Sequence, residues 1–128
     1  MINAELVAKY FLSKDNERKL FNMNVVTYNN RNFYEGNARL NKYLFLSQVV
    51  YLAKYNKRLF NDDFRAYDNG PVILDIMKIF PVLKSEENFS SISDKDKIFL
   101  DKIYESLENA TYEELIDITH EDPEWLCL

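Results

Sequence analysis

Leu40-Asn41-Lys42-Tyr43-Leu44-Phe45-Leu46-Ser47-Gln48-Val49-Val50-Tyr51-Leu52-Ala53-Lys54-Tyr55 is apolar on almost every side when wound at 3.6 residues per turn. A helix of that kind must be enclosed by other elements. The stretch therefore predicts a buried central helix over about 40–56. Lys54, Lys57 and Arg58 gather at its end, where the helix dipole is negative and cations are favoured.

Toward the N-terminus, Ile2, Leu6, Val7, Tyr10 and Phe11 recur at intervals of three and four, and Asn3 stands in the N-cap place. That spacing predicts a helix over about 3–13. Residues 14–19 read as a polar extension of this helix or as a break. The segment 22–39 is rich in asparagine, a turn residue, around the β-branched run Val25-Val26-Thr27-Tyr28. It reads as an insertion or irregular segment with room for a short strand.

Toward the C-terminus, Leu59-Phe60 and Phe64-Arg65-Ala66-Tyr67 alternate with polar residues, which allows at most a short β strip near 59–67. The run Ala66-Tyr67-Asp68-Asn69-Gly70-Pro71-Val72 spends one of two glycines and one of three prolines on seven positions. Glycine tolerates positive φ and proline suits a first helical turn, so this run predicts a turn that launches a helix at Pro71, stopped by Pro81. Residues 84–92 form a polar loop. Ser93-x-x-Asp96 and Thr111-x-x-Glu114 are capping boxes, the first before a helix through Leu107, the second before a short helix that ends where Thr119 begins another polar patch. The fold class is mainly α: a compact single-domain bundle of about five to six helices around the central one.

Composition narrows the function. One cysteine, Cys127, can form no internal disulfide or cysteine cluster, and no apolar run is long enough to span a bilayer; a cytoplasmic, membrane-free protein is expected. The formal charge of −5 disfavours direct nucleic-acid binding. From Asp101 onward nine acids face one base, an acidic surface that either keeps the protein solvated or meets a basic partner.

Catalytic arrangements are sparse. Thr119-His120-Glu121-Asp122-Pro123-Glu124-Trp125 brings the single histidine and single tryptophan together. Consecutive His120, Glu121 and Asp122 point in different directions on a regular backbone, which disfavours a metal-dependent hydrolase or nuclease and leaves no metal or other cofactor expected. His120 reads as a residue bonded near a helix cap or as a partner contact. Trp125 reads as a core anchor or an interface residue.

In order, Val49-Val50-Tyr51-Leu52-Ala53, Leu59-Phe60, Ala66-Tyr67-Asp68-Asn69-Gly70-Pro71-Val72 and Thr119-His120-Glu121-Asp122-Pro123-Glu124-Trp125 resemble the Panacea family, which includes SocA-like antitoxins and phage-associated relatives. The resemblance spans roughly residues 40–125, with Arg58 where the family pattern has a proline and Glu124 between a proline and tryptophan that the pattern places side by side. It implies a non-enzymatic protein that binds and neutralises a cognate toxin, basic if it suits the acidic surface, and that in some relatives hands the toxin to an ATP-dependent protease. The alternative it leaves is a phage-borne or mobile-element-borne interaction module with another host target. On this reading Tyr67, Asp68, Asn69, Gly70, His120, Glu121 and Trp125 are the candidate partner-binding residues.

Overall fold

A computed structural model of the chain describes residues 2–28, 30–67, 70–85 and 88–120, the side chains at 28, 116 and 118–120 excepted. The chain is mainly helical, with two short antiparallel strand pairs. In order it forms α1 (Ala4–Ser13), β1 (Val25–Tyr28), β2 (Arg31–Tyr34), α2 (Glu35–Tyr55), β3 (Arg65–Tyr67), β4 (Gly70–Val72), α3 (Leu74–Ile79), a 3-10 turn (Phe80–Val82), α4 (Asp94–Leu107) and α5 (Tyr112–His120).

The expected central helix is α2, and it touches each of the other four helices as well as β2 and β4. It begins at Glu35 and not at 40, because the amides of Glu35 and Gly36 donate to the carbonyls of Asn24 and Asn22 and so satisfy part of the unpaired first turn. A Cβ at Gly36 would collide with the backbone of Phe21 and Asn22. Glycine is what lets the incoming chain cross the start of the helix that closely. In segment 22–39 the short strand allowed at Val25–Tyr28 is β1, and it pairs with β2 in a hairpin that leads into the first turn of α2, with Asn30 supplying a positive φ of 64° at the bend.

Inside α2 the polar residues are structural pins. Gln48, buried, accepts from the amides of Leu59 and Phe60 at 2.8 and 3.3 Å and donates to the Phe60 carbonyl at 2.7 Å. It thus acts as a strand edge for the Leu59-Phe60 segment. Phe60 in turn makes a single parallel bridge to Ile2. Tyr43 anchors the ring cluster, meeting Phe11, Phe21 and Tyr104 edge-on at 5.6, 5.1 and 6.1 Å. Such geometry adds roughly 0.5–1.5 kcal/mol per pair beyond burial.

Helix α1 is capped as expected by Asn3, whose side chain accepts from the Leu6 amide. Residues 14–19 are a break: buried Asp15 accepts from the amides of Lys19, Leu20 and Phe21 and turns the chain at Arg18, where φ is 54°. The helix expected at Pro71 is also corrected. Gly70–Val72 is a strand paired with Arg65–Tyr67, and the helix starts three residues later at Leu74. Pro71 stands opposite Ala66, one step from the loop-closing pair Tyr67 and Gly70, where the alternation of an antiparallel ladder asks for no N–H. Gly70, at φ 115°, makes the entry into that strand possible. Within the expected 59–67 the β structure is therefore the strand Arg65–Tyr67 and the single bridge at Phe60.

Both expected N-caps form, and the second is a full capping box. Ser93 accepts from the Asp96 amide at the head of α4, while Thr111 and Glu114 bond reciprocally at the head of α5. Helix α5 runs on through Thr119 and His120, so Thr119 does not end it.

Candidate functional site

The N-terminal half of α2 lies between the two hairpins, and there the structure opens a cavity of about 330 Å³. Ala38 and Lys42, one helical turn apart, present their side chains to it together with Asn37. Arg31, Asn32 and Phe33 reach it from β2, Tyr67 and Val72 from the second hairpin, Met77 from α3 and Tyr112 from α5. Six elements thus meet around one concavity, although their residues are spread over more than half of the chain.

Two contacts, one buried and one partly buried, explain why they converge. Asn41 accepts from the Ile73 amide at 2.8 Å while its own amide donates to the Asn37 carbonyl, which fixes the β4–α3 junction against α2. Arg39 donates to the Ala110 carbonyl at 2.7 Å and so places the head of α5, with Tyr112 on its first turn, beside the same stretch of helix. Phe33 and Tyr112 then sit 5.9 Å apart with their rings inclined at 49°.

Lys42 is the electrostatic feature of this cavity. It keeps 2% of its surface exposed, and burial pulls its ammonium from the ordinary 10.5 down to about 8. At neutral pH it still carries its charge, held 5.4 Å from the centre of the Tyr112 ring. Among the described residues no carboxylate lines the cavity, while Arg31 adds a second cation to its wall. Chemically, then, the concavity offers aromatic faces, thioether and aliphatic surface, and positive charge.

Of the expected contact residues, Tyr67 lines this cavity and is 36% exposed, and Gly70 is buried opposite it in the hairpin. His120 is the last residue of α5, its side chain outside the described residues. Asp68, Asn69, Glu121 and Trp125 lie outside the described residues, as does Asp122 of the disfavoured metal triad. Among the described residues no group of histidine, cysteine and carboxylate side chains is placed to hold a metal, and no helix is long and apolar enough to cross a membrane.

Sequence reasoning missed Lys42, Arg31, Phe33, Met77 and Tyr112. The legible signal was Lys42, a charge within the mostly apolar run after Leu40: a charge at such a place is either pinned or poised.

The fold is thus a small helical scaffold with two short hairpins framing an aromatic, cationic concavity. The sequence model of the antitoxin SocA-like, Panacea domain family matches residues 40–126, about two thirds of the chain, and the protein belongs to that family. The match begins within α2 and takes in β3, β4 and every helix that follows. Neither curated proteins nor solved structures yielded a match.

Proposed function

We propose that this protein is an antitoxin that binds a cognate protein toxin and thereby neutralises it. Membership of the SocA-like antitoxin family across residues 40–126 is the observation that carries this reading. The surface chemistry is compatible with it. Glu105 and Glu108 on α4 and Glu113, Glu114 and Asp117 on α5 are exposed, a field that attracts a basic partner. In this proposal Tyr67, Asp68, Asn69, Gly70, His120, Glu121 and Trp125 contribute to the contact. Delivery of the captured toxin to an ATP-dependent protease is its extension and predicts faster disappearance of the toxin when both proteins are present.

The test is affinity capture from the native cell, followed by expression of each captured protein without this chain in a clean host. A captured protein that arrests growth by itself is expected. Captured partners that are all harmless would remove the antitoxin reading and leave a general interaction module in its place.

A further inference from the structure

Asn37 is a polar group of the cavity that the fold leaves half used. It stands in the first turn of α2, keeps 6% of its surface exposed and lines the cavity. Its Oδ1 accepts from the side-chain amide of Asn41 at 3.0 Å, and among the described residues its own Nδ2 has no partner. An N–H left unmade in a protein interior is costly and uncommon. The nitrogen is not sealed from solvent as the unpartnered Tyr43 hydroxyl is, so it opens onto free space, and the free space that Asn37 borders is this cavity.

The surroundings of that donor are apolar. Phe33, Ala38, Val72 and Met77 wall the cavity, with the ring of Tyr67 on its more exposed side. Lys42 and Arg31 are each engaged in further contacts, so the donor a guest finds open is the amide. At about 330 Å³ the cavity falls at the lower end of the range of small-molecule pockets, and at the ~30 Å³ that a liquid water occupies it has room for roughly a dozen non-hydrogen atoms. An apolar pocket with one open N–H selects an apolar body that carries an acceptor. A neutral carbonyl suits it better than an anion, because taking a charge out of water costs far more than taking out a dipole.

The geometry points to a binding site for a small neutral carbonyl compound, a ketone, amide or lactam, with its oxygen on the free N–H of Asn37 and its apolar body against Phe33, Val72 and Met77. The site goes beyond the antitoxin reading and stands without it, since it asks nothing of a protein partner.

The experiment uses the full chain and 1-indanone, a ketone of the size the cavity admits. Indane, the same rings without the oxygen, and acetone, the carbonyl without the rings, are titrated in parallel by nitrogen–proton correlation NMR that follows the side-chain amide of Asn37. Indanone is expected to bind about fivefold more tightly than indane, the effect of one hydrogen bond, and at least roughly tenfold more tightly than acetone, which forgoes the apolar burial. The Asn37 side-chain resonances are expected to move with indanone and to stay in place with indane. Asn37→Leu leaves the Asn41 amide bonded to the backbone carbonyl of residue 37 and is expected to bind indanone and indane equally. Met77→Trp, which fills the cavity and leaves Asn37 in place, is expected to bind neither.

Equal affinity of the native protein for ketone and hydrocarbon, or an Asn37 side-chain amide that indanone does not move, would overturn the hydrogen bond. Acetone binding as tightly as indanone would overturn the apolar body. Indanone binding that persists in Met77→Trp, or no binding up to the solubility limit, would overturn the site itself.

Discussion

Replacing Lys42 with methionine should make the protein more stable. The substitution keeps a long, unbranched side chain in the same space and removes a charge that is 2% exposed. Burial lowers the ammonium from 10.5 to about 8, and at about 1.4 kcal/mol per pH unit the gap corresponds to a cost of about 3 kcal/mol in the charged form. Contact with the Tyr112 ring at 5.4 Å returns ~0.5–1 kcal/mol of that and a further contact of the ammonium a similar amount, so a net gain of about 1–2 kcal/mol is expected at pH 7.

The sign with pH follows from the same numbers. Between about 8 and 10.5 the unfolded chain holds more protons at this lysine than the folded one, so the native protein gains stability as pH rises through that window. Tyr43 and Tyr51 act oppositely at higher pH. Burial raises both to about 12, with the Asp96 bond adding to the rise at Tyr51. Their stabilisation is present below 10 and is lost as pH climbs toward 12. Both tyrosines remain in the variant, so the difference between the two proteins isolates Lys42. Urea unfolding followed by circular dichroism from pH 7 to 10.5 should show the variant ahead by a midpoint shift of about 1 M at pH 7, shrinking toward zero at pH 10.5. A variant less stable than the native protein at pH 7, or an advantage that does not shrink with pH, would refute the reasoning.

Three further outcomes are expected. Gly36→Ala, which helix propensity alone would favour by about 1 kcal/mol, should instead cost about 2–4 kcal/mol in urea unfolding, because the added Cβ meets the backbone of Phe21 and Asn22. Gln48→Leu leaves the amides of Leu59 and Phe60 and the Phe60 carbonyl without their bonds, and should cost about 3 kcal/mol, with hydrogen exchange at 59 and 60 accelerated first. Under the antitoxin reading, Glu113→Lys with Asp117→Lys should slow association with a basic toxin by about tenfold at low salt while dissociation barely changes; a salt-insensitive on-rate in the native complex would count against the acidic field.

Much of the fold could be read from local chemistry, since the signals were themselves local. Asn3, Ser93 and the Thr111–Glu114 pair name their own helix starts, and the apolar run after Leu40 announces an enclosed helix. The errors arose where a distant partner decides. Gly70-Pro71-Val72 reads as a helix start until Arg65–Tyr67 is laid against it and Asn41 takes the Ile73 amide. The start of α2 at Glu35 depends on carbonyls of Asn22 and Asn24 that no helical periodicity displays.

The cavity was harder still to foresee. Its walls come from Arg31, Lys42, Tyr67, Met77 and Tyr112, residues whose spacing follows no helical or strand period. Among the described residues Tyr67 and Val72 link the motif reading to it. Asp68, Asn69, Glu121 and Trp125 lie outside the described residues, and their part in partner binding remains a proposal.

Neutralisation is the most direct test of the account. The growth-arresting protein captured with this chain is expressed at a fixed, lethal level in a clean host, and this protein is induced beside it in graded amounts. Growth is predicted to return as the two reach roughly equal amounts, with a stable complex recovered from the surviving cells. Growth that stays arrested at a severalfold excess of folded protein would contradict the antitoxin function.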